Sequence, residues 1–183
     1  AEVAKQGLAR IADFQKEDGS WGWWKEGESD PFMTAYVVWG LTLAAQAELE
    51  VDRAKLNLAA EWLERRLAQA VDEPDLQAWL LHAAAVHHQF SGKAQPSEFT
   101  RDARAGLYGR RERLNAYGRA LLALAANALG DGESAKVLVR NLENGVVWDR
   151  DPAKSILQPG STAEPRPATA HWGRDGISWR WAE

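Results

Sequence analysis

The sequence contains no cysteine, and this absence removes several kinds of chemistry at once. Without a thiol, these 183 residues can form no disulfide, no zinc–thiolate site, no thiol nucleophile and no covalent bond through a cysteine sulfur. Long hydrophobic runs are also absent, since the uncharged windows 33–47 and 76–90 are too short to span a membrane. Lys and Arg number 22 against 26 Asp and Glu, and the net charge of −4 argues against nucleic acid or an anionic membrane as a partner.

Isoleucine and threonine are scarce, whereas alanine and leucine are abundant, and this mixture favours helices over a β-sheet. Turn-forming pairs interrupt the apolar pattern, for example Asp18-Gly19 and Gln95-Pro96. Ser97 and Asp131 stand where they could cap the helices that follow. The sequence predicts seven helices, over 2–15, 32–48, 52–70, 75–90, 97–109, 112–129 and 132–144.

The predicted helices are of two alternating kinds. The stretches 33–47, 76–90 and 120–129 carry no Asp, Glu, Lys or Arg, which is typical of buried inner helices, whereas the helices between them have one charged face. Near the start of the inner helices stand the similar triplets Thr34-Ala35-Tyr36, Gln77-Ala78-Trp79 and Asn115-Ala116-Tyr117. Their spacings of 43 and 38 residues indicate repeated helical hairpins. We therefore predict an all-α fold, an α/α toroid or an incomplete ring of one; the alternative is an antiparallel helix bundle.

The repeat ends after residue 144. A fourth inner helix would begin near residue 155, yet the segment 145–183 is rich in Pro, Gly and Ser. Four tryptophans in this segment argue for order, because a structureless run of that length is unusual in a compact domain. We interpret 1–183 as a single domain fragment, with helical hairpins over 1–144 and a Trp-rich ordered excursion over 145–183.

Several strings along the chain, in order, resemble one family. The string 10–22 resembles the Gln–Trp element of the terpenoid cyclase/prenyltransferase-like toroids. The strings 15–24, 30–41, 114–125, 129–131, 141–144 and 171–181 resemble the thioester-containing (complement-like) domain of bacterial α2-macroglobulins. The motif residues singled out by this resemblance are Gln15, Asp18, Gly19, Trp21, Gly22, Trp23, Tyr36, Trp39, Tyr117, Trp172, Trp179 and Trp181. Among them, Trp21 is expected to be buried and to hold the first loop.

The resemblance implies a part of a macroglobulin-type endopeptidase inhibitor, a protease trap of the bacterial cell envelope, the periplasm or the extracellular space. In the family a Cys-Gly-Glu-Gln thioester captures the protease, and in family order that motif would precede Ala1. A family histidine would fall near 67–72, where no His stands. We therefore expect no catalytic residue, no metal and no cofactor. The implied partners are proteases, through the full-length parent, and the parent's other domains; further helices at both ends are expected, and an open ring could self-associate.

Two other groups of residues call for an interpretation. His82, His87 and His88 share one inner helix, but their spacing lacks the i, i+4 pair of a zinc helix, so we expect them to bond to backbone or side-chain acceptors. The pairs Arg65-Arg66 and Arg110-Arg111 are expected on solvated outer faces.

Acidic residues around three tryptophans leave an enzymatic alternative open. Paired acids beside aromatic platforms could make the chain a toroidal carbohydrate-active or terpene-cyclase-like enzyme. The other interpretation is a capped loop packed on its tryptophans, with solvated acids. The uncharged inner stretches favour this second, non-enzymatic interpretation, because an enzyme of this architecture needs acids facing the axis. The residues concerned are Glu17, Asp18, Trp21, Trp23, Trp24, Glu26, Glu28 and Asp30.

Overall fold

The computed structural model describes residues 2–149 and 169–172. This part of the chain is helical apart from one two-stranded sheet, so the all-α class is confirmed. The limits of the helices differ from the predicted ones by a few residues. The helices are α1 (Glu2–Asp13), α2 (Pro31–Gln46), α3 (Arg53–Leu67), α4 (Pro74–Ser91), α5 (Glu98–Gly109), α6 (Ala116–Ala128) and α7 (Gly132–Asn144). No helix among the described residues is long and apolar enough to cross a membrane.

Side-chain caps explain where several helices begin. The carboxylate of Asp30 accepts a hydrogen bond from the Met33 amide at the start of α2. Ser97 and Asp131 accept in the same way from backbone amides in the first turns of α5 and α7, which confirms both predicted caps. Each cap satisfies an amide that has no partner within its own helix.

The third inner helix begins later than predicted. Instead of a helix from residue 112, a 3-10 turn over Arg111–Arg113 precedes α6, which starts at Ala116. The reason is Asn115, whose side chain caps α6 by accepting from the Gly118 amide. Tyr117 is consequently the second residue of its helix, whereas Tyr36 is the sixth residue of α2, so the third triplet of the repeat has shifted along its helix.

The helices form an inner and an outer layer. The inner helices α2, α4 and α6 pack side by side, and the outer helices α3, α5 and α7 pack against them. The expectation that inner helices are buried all round holds only for α4, which contacts α2, α3, α5 and α6. Its neighbours α2 and α6 have fewer packing partners, and each leaves apolar residues exposed, Tyr36 and Leu43 on α2 and Tyr117 and Leu124 on α6.

The first helix is attached through hydrogen bonds and an apolar contact. No residue of α1 is buried, although Leu8 packs against the core from its side. The indole of Trp21 donates to the carbonyl of Ile11, and the amine of Lys55 donates to the carbonyl of Ala12. These bonds fix the C-terminal half of α1 to the rest of the molecule.

The segment after α7 contains two short strands that the sequence did not predict. Strand β1 (Val147–Asp149) pairs antiparallel with β2 (Thr169–His171), with Trp148 opposite Ala170. Trp148 is 64% exposed. Trp172 is 42% exposed, and its indole donates to the carbonyl of Leu142 on α7. Trp179 and Trp181 lie outside the described residues.

Candidate functional site

The loop between α1 and α2, residues 14–30, is here called the Gln–Trp loop, and Trp21 is its centre. Trp21 is only 3% exposed, so the expected burial is confirmed. Its indole Nε1 donates to the Ile11 carbonyl at 2.9 Å, and its backbone amide donates to Thr34 Oγ1 at 3.0 Å. The amide of Asp30 in turn donates to the Trp21 carbonyl at 2.8 Å. Trp21 thus joins the end of α1 to the first turn of α2.

Asp18 joins the same loop to α3. One carboxylate oxygen accepts from the amide and the hydroxyl of Ser20, and the other accepts from the indole of Trp62 at 2.9 Å. Burial acts to raise the pKa of Asp18, but the hydrogen bonds from Ser20 and Trp62 outweigh it, so the pKa lies below its ordinary value. A carboxyl that is ionised and bonded in this way suits a structural role, since a general acid needs a raised pKa.

Gln15 and two glycines complete the loop. The side-chain amide of Gln15 donates to the carbonyls of Gly19 and Lys55, at 3.0 and 2.9 Å. Gly19 has a φ of 92°, a conformation that side chains disfavour. A Cβ on Gly22 would lie 2.1 Å from the backbone oxygen of Glu28. The loop conformation therefore depends on both glycines.

The remaining acids and tryptophans of the loop face solvent. Trp23 and Trp24 are exposed, as are Glu17, Glu26 and Glu28. Asp18 and Asp30, by contrast, accept loop and helix-cap hydrogen bonds. This arrangement favours the interpretation of a capped, tryptophan-packed loop over that of an acid pair prepared for catalysis.

A second aromatic group lies where α2 and α4 face each other. The rings of Trp39 and Trp79 are in edge contact, with centroids 5.8 Å apart, and Tyr36 lies 6.5 Å from Trp79. His82 lies about equally far from both tryptophans, at 6.1 and 6.0 Å. The motif resemblance singled out Tyr36 and Trp39 but neither Trp79 nor His82. The pair Trp79 and His82 has the same i, i+3 spacing as Tyr36 and Trp39, and this spacing is the signal that could have identified it.

The three histidines of α4 differ in their surroundings. The Nε2 of His87 lies 3.1 Å from Asn57 Oδ1, which agrees with the expected bond to an acceptor. His82 departs from that expectation, because its Nδ1 is buried without a hydrogen-bond partner. Burial lowers the pKa of His82, and burial together with nearby positive groups, Lys93 first, lowers the pKa of His87 to about 4. Among the described residues no group of three His, Cys, Asp or Glu side chains could hold a metal ion.

A polar network that the sequence did not predict joins the starts of two inner helices, α4 and α6. Asp75 at the start of α4 accepts from the backbone and side-chain nitrogens of Asn115, at 3.1 and 3.0 Å. Gln77, which is buried, donates to the Leu67 carbonyl and accepts from the guanidinium of Arg110. Arg110 is therefore half-buried and bonded, not solvated as expected. Its partner in sequence, Arg111, stacks on the ring of Tyr108.

Comparison with known proteins identifies what this arrangement is similar to. The family model of the A-macroglobulin TED domain matches residues 1–73. An α2-macroglobulin of Thermotoga maritima is 39% identical over 64 residues, which are 35% of this chain and 4% of that protein. The chain therefore spans only a small part of the length of this curated relative.

Solved structures of α2-macroglobulin from Escherichia coli share the fold over 75% of this chain. A crystal structure of the native protein, from domain MG7 to the C-terminus, gives a TM-score of 0.62 at 18% identity and is covered over 22% of its length. A cryo-EM structure of the native conformation and a crystal structure of the trypsin-activated protein both give a TM-score of 0.56 at 19% identity. This chain covers 9% of the first of these proteins and 10% of the second. The described helices thus have the α/α toroid fold of the TED domain.

Proposed function

We propose that this chain, whose residues 1–73 match the family model of the A-macroglobulin TED domain, is part of a macroglobulin-type protease inhibitor. In this proposal residues 1–183 form one domain fragment that supplies scaffold and no catalysis of its own. The observation that carries the scaffold role is the complete absence of cysteine from a chain that keeps the fold. A thioester requires a cysteine sulfur, so capture through a thioester would have to use residues outside these 183.

The structure suggests how such a scaffold is held together. Trp21, Gln15 and Asp18 bind the Gln–Trp loop to α1, α2 and α3, and the Asp75–Asn115 contact joins the starts of α4 and α6. The hydrogen bonds of Asp18 and Asp30 support a structural use of the loop acids and speak against the carbohydrate-active or cyclase-like alternative. The other motif residues, Trp23, Tyr36, Trp39 and Tyr117, are proposed to serve contacts within the domain or with its neighbours.

The partners and the location follow from the family and belong to the proposal. The partners would be proteases, met through a longer parent protein, and the other domains of that parent; self-association of the fragment through its exposed apolar faces is a further part of the proposal. The relatives are bacterial, which supports a location in the cell envelope, the periplasm or the extracellular space.

Trapping is tested on the full-length protein that contains these residues. The protein is incubated with trypsin, and residual activity is measured on casein and on a small chromogenic peptide. A trap hinders access of large substrates, so casein hydrolysis should fall strongly while hydrolysis of the small peptide persists. Equal activity on casein with and without the protein would overturn the proposal.

A matched pair of variants connects the result to this chain. Trp21→Ala removes the buried centre of the Gln–Trp loop and should reduce the protection of casein. Trp24→Ala removes an exposed ring of the same loop and should leave the protection unchanged. If both variants protect casein as well as the original protein does, the scaffold role assigned to the loop is wrong.

A further inference from the structure

A groove of about 500 Å³ lies on the outer layer between α3 and α5, away from the Gln–Trp loop. Leu67, Ala103 and Gly106 lie at its base, and the partly exposed side chains of Val71 and Phe99 line its sides. Apart from its chain neighbours and the nearby backbone of α5, no atom of the described residues lies within 4 Å of the position that a Cβ on Gly106 would take. Small residues on α5 therefore leave open, largely apolar space of a size that binding sites have.

One end of the groove holds a fixed positive charge. Arg110 lines the groove and donates to Gln77, whose own amide donates to the Leu67 carbonyl, so the guanidinium is held in place. The Nε of Arg110 is buried and has no hydrogen-bond partner. Arg110 takes part in none of the three ion pairs found within residues 2–149 and 169–172. A positioned guanidinium of this kind is suited to a carboxylate.

The other end of the groove is acidic. Glu98 and Asp102 line it from the first turns of α5, and neither belongs to an ion pair in the part of the chain that the structure describes. Asp102 and Glu98 precede Arg110 by eight and twelve residues, which is about 12 and 18 Å along the axis at 1.5 Å per residue. The charges of opposite sign are therefore separated by the apolar base.

We propose that this groove binds an extended peptide segment of a partner protein, with a carboxylate on Arg110, an apolar side chain over Gly106, and a basic side chain beside Asp102 and Glu98. An extended chain advances about 3.3 Å per residue, so about four to six residues bridge the two charged ends. This inference does not rest on the proposed function.

The test uses three five-residue peptides and the chain itself, with isotope-labelled backbone amides followed by NMR. Two charged probes, acetyl-Lys-Ala-Leu-Ala-Asp-amide and its reverse sequence, cover both directions of binding. The neutral probe is acetyl-Gln-Ala-Leu-Ala-Asn-amide. At least one charged probe should shift the amides of Ala103 and Gly106 and bind about threefold or more tighter than the neutral one, since two exposed charge pairs add modestly to affinity. Raising the salt concentration should reduce that difference.

Variants on α5 separate the groove from the rest of the surface. Gly106→Leu fills the open base and should abolish the shifts. Gly109→Leu is the matched control: Gly109 lies on the same helix, also has open space at its Cβ, and does not line the groove, so binding should persist. Arg110→Gln should weaken the charged probe and leave the neutral one unchanged. Thermal melts of each variant check that the fold is retained.

Three outcomes would overturn the inference. The first is the absence of shifts at millimolar peptide. The second is equal binding of charged and neutral probes, which would mean that the opposite charges play no part. The third is that Gly106→Leu, folded as judged by its melt, binds the charged probe as the original chain does.

Discussion

Replacement of Trp21 tests how the Gln–Trp loop stabilises the molecule. The ring is 3% exposed, and its Nε1 donates to the Ile11 carbonyl at 2.9 Å. Trp21→Ala removes both the buried ring and this donor. Trp21→Phe retains an aromatic ring but loses the donor, so the pair of variants separates packing from hydrogen bonding.

The expected magnitudes follow from these contacts. Truncation of a buried tryptophan to alanine should lower the free energy of unfolding by about 3–5 kcal/mol. In Trp21→Phe the Ile11 carbonyl loses its indole partner and the smaller ring leaves a void, which together should lower it by about 1–3 kcal/mol. The free energy of unfolding should therefore be highest for the original chain, lower for Trp21→Phe and lowest for Trp21→Ala.

Urea unfolding followed by far-UV circular dichroism measures the three free energies. The chain contains ten tryptophans, so helix content is a cleaner signal than tryptophan fluorescence. Trp24→Ala is the control, because Trp24 belongs to the same loop but is 77% exposed. A surface substitution of this kind should stay within about 0.5 kcal/mol of the original.

A urea midpoint of Trp21→Ala equal to that of Trp24→Ala would contradict this prediction. The Gln–Trp loop would then contribute no more than any exposed segment, and its contacts with α1 and α2 would be incidental to stability.

The remaining predictions concern the buried histidine, a loop glycine and the helix-start network. Burial and nearby positive groups lower the pKa of His87 to about 4 in the folded chain. In the unfolded chain this side chain has its ordinary pKa of 6.5 and binds a proton below that pH. Because the unfolded state then binds more protons, the free energy of unfolding should fall as the pH drops from about 6.5 to about 4, by at most about 3 kcal/mol. Urea midpoints across that range measure the decline, and His87→Gln should make it shallower. Gly22→Ala places a Cβ 2.1 Å from a backbone oxygen and should cost about 1–3 kcal/mol, whereas Gly27→Ala, with its nearest atom at 3.4 Å, should cost less; thermal melts compare the two. Asn115→Ala removes both the cap of α6 and the side-chain amide that donates to Asp75. It should lower the free energy of unfolding, measured with urea, by about 1–2 kcal/mol. A decrease of less than about 0.3 kcal/mol would show that the contact between Asp75 and Asn115 does not stabilise the fold.

Local patterns predicted the helices well because charge and turn residues act within a few positions of the chain. The caps at Ser97 and Asp131 and the burial of Trp21 follow from short strings of sequence. The late start of α6 also has a local cause, the Asn115 cap on the Gly118 amide, although the predicted helix from residue 112 missed it. The contact of Asn115 with Asp75 could not be predicted from local patterns, because the two residues are 40 positions apart.

The candidate groove also depends on residues that are far apart in the sequence, so local patterns could not predict it. In the sequence Arg110 is one of two adjacent arginines that are expected at the surface. Only the packing of α4 against α5 brings Gln77 within hydrogen-bond distance of Arg110. The strands Val147–Asp149 and Thr169–His171 are three residues each, too short for their alternation to be distinguished from loop sequence. Such features arise from tertiary contacts that no local pattern encodes.

We propose that these residues supply structure and no covalent chemistry to a protease trap. The direct measurement is denaturing mass spectrometry of the purified chain after incubation with methylamine and, separately, with trypsin. We expect an unmodified mass of 20.3 kDa with methylamine, and only cleavage fragments with trypsin. A methylamine adduct, or a covalent complex of any part of the chain with trypsin, would show that these residues take part in covalent chemistry.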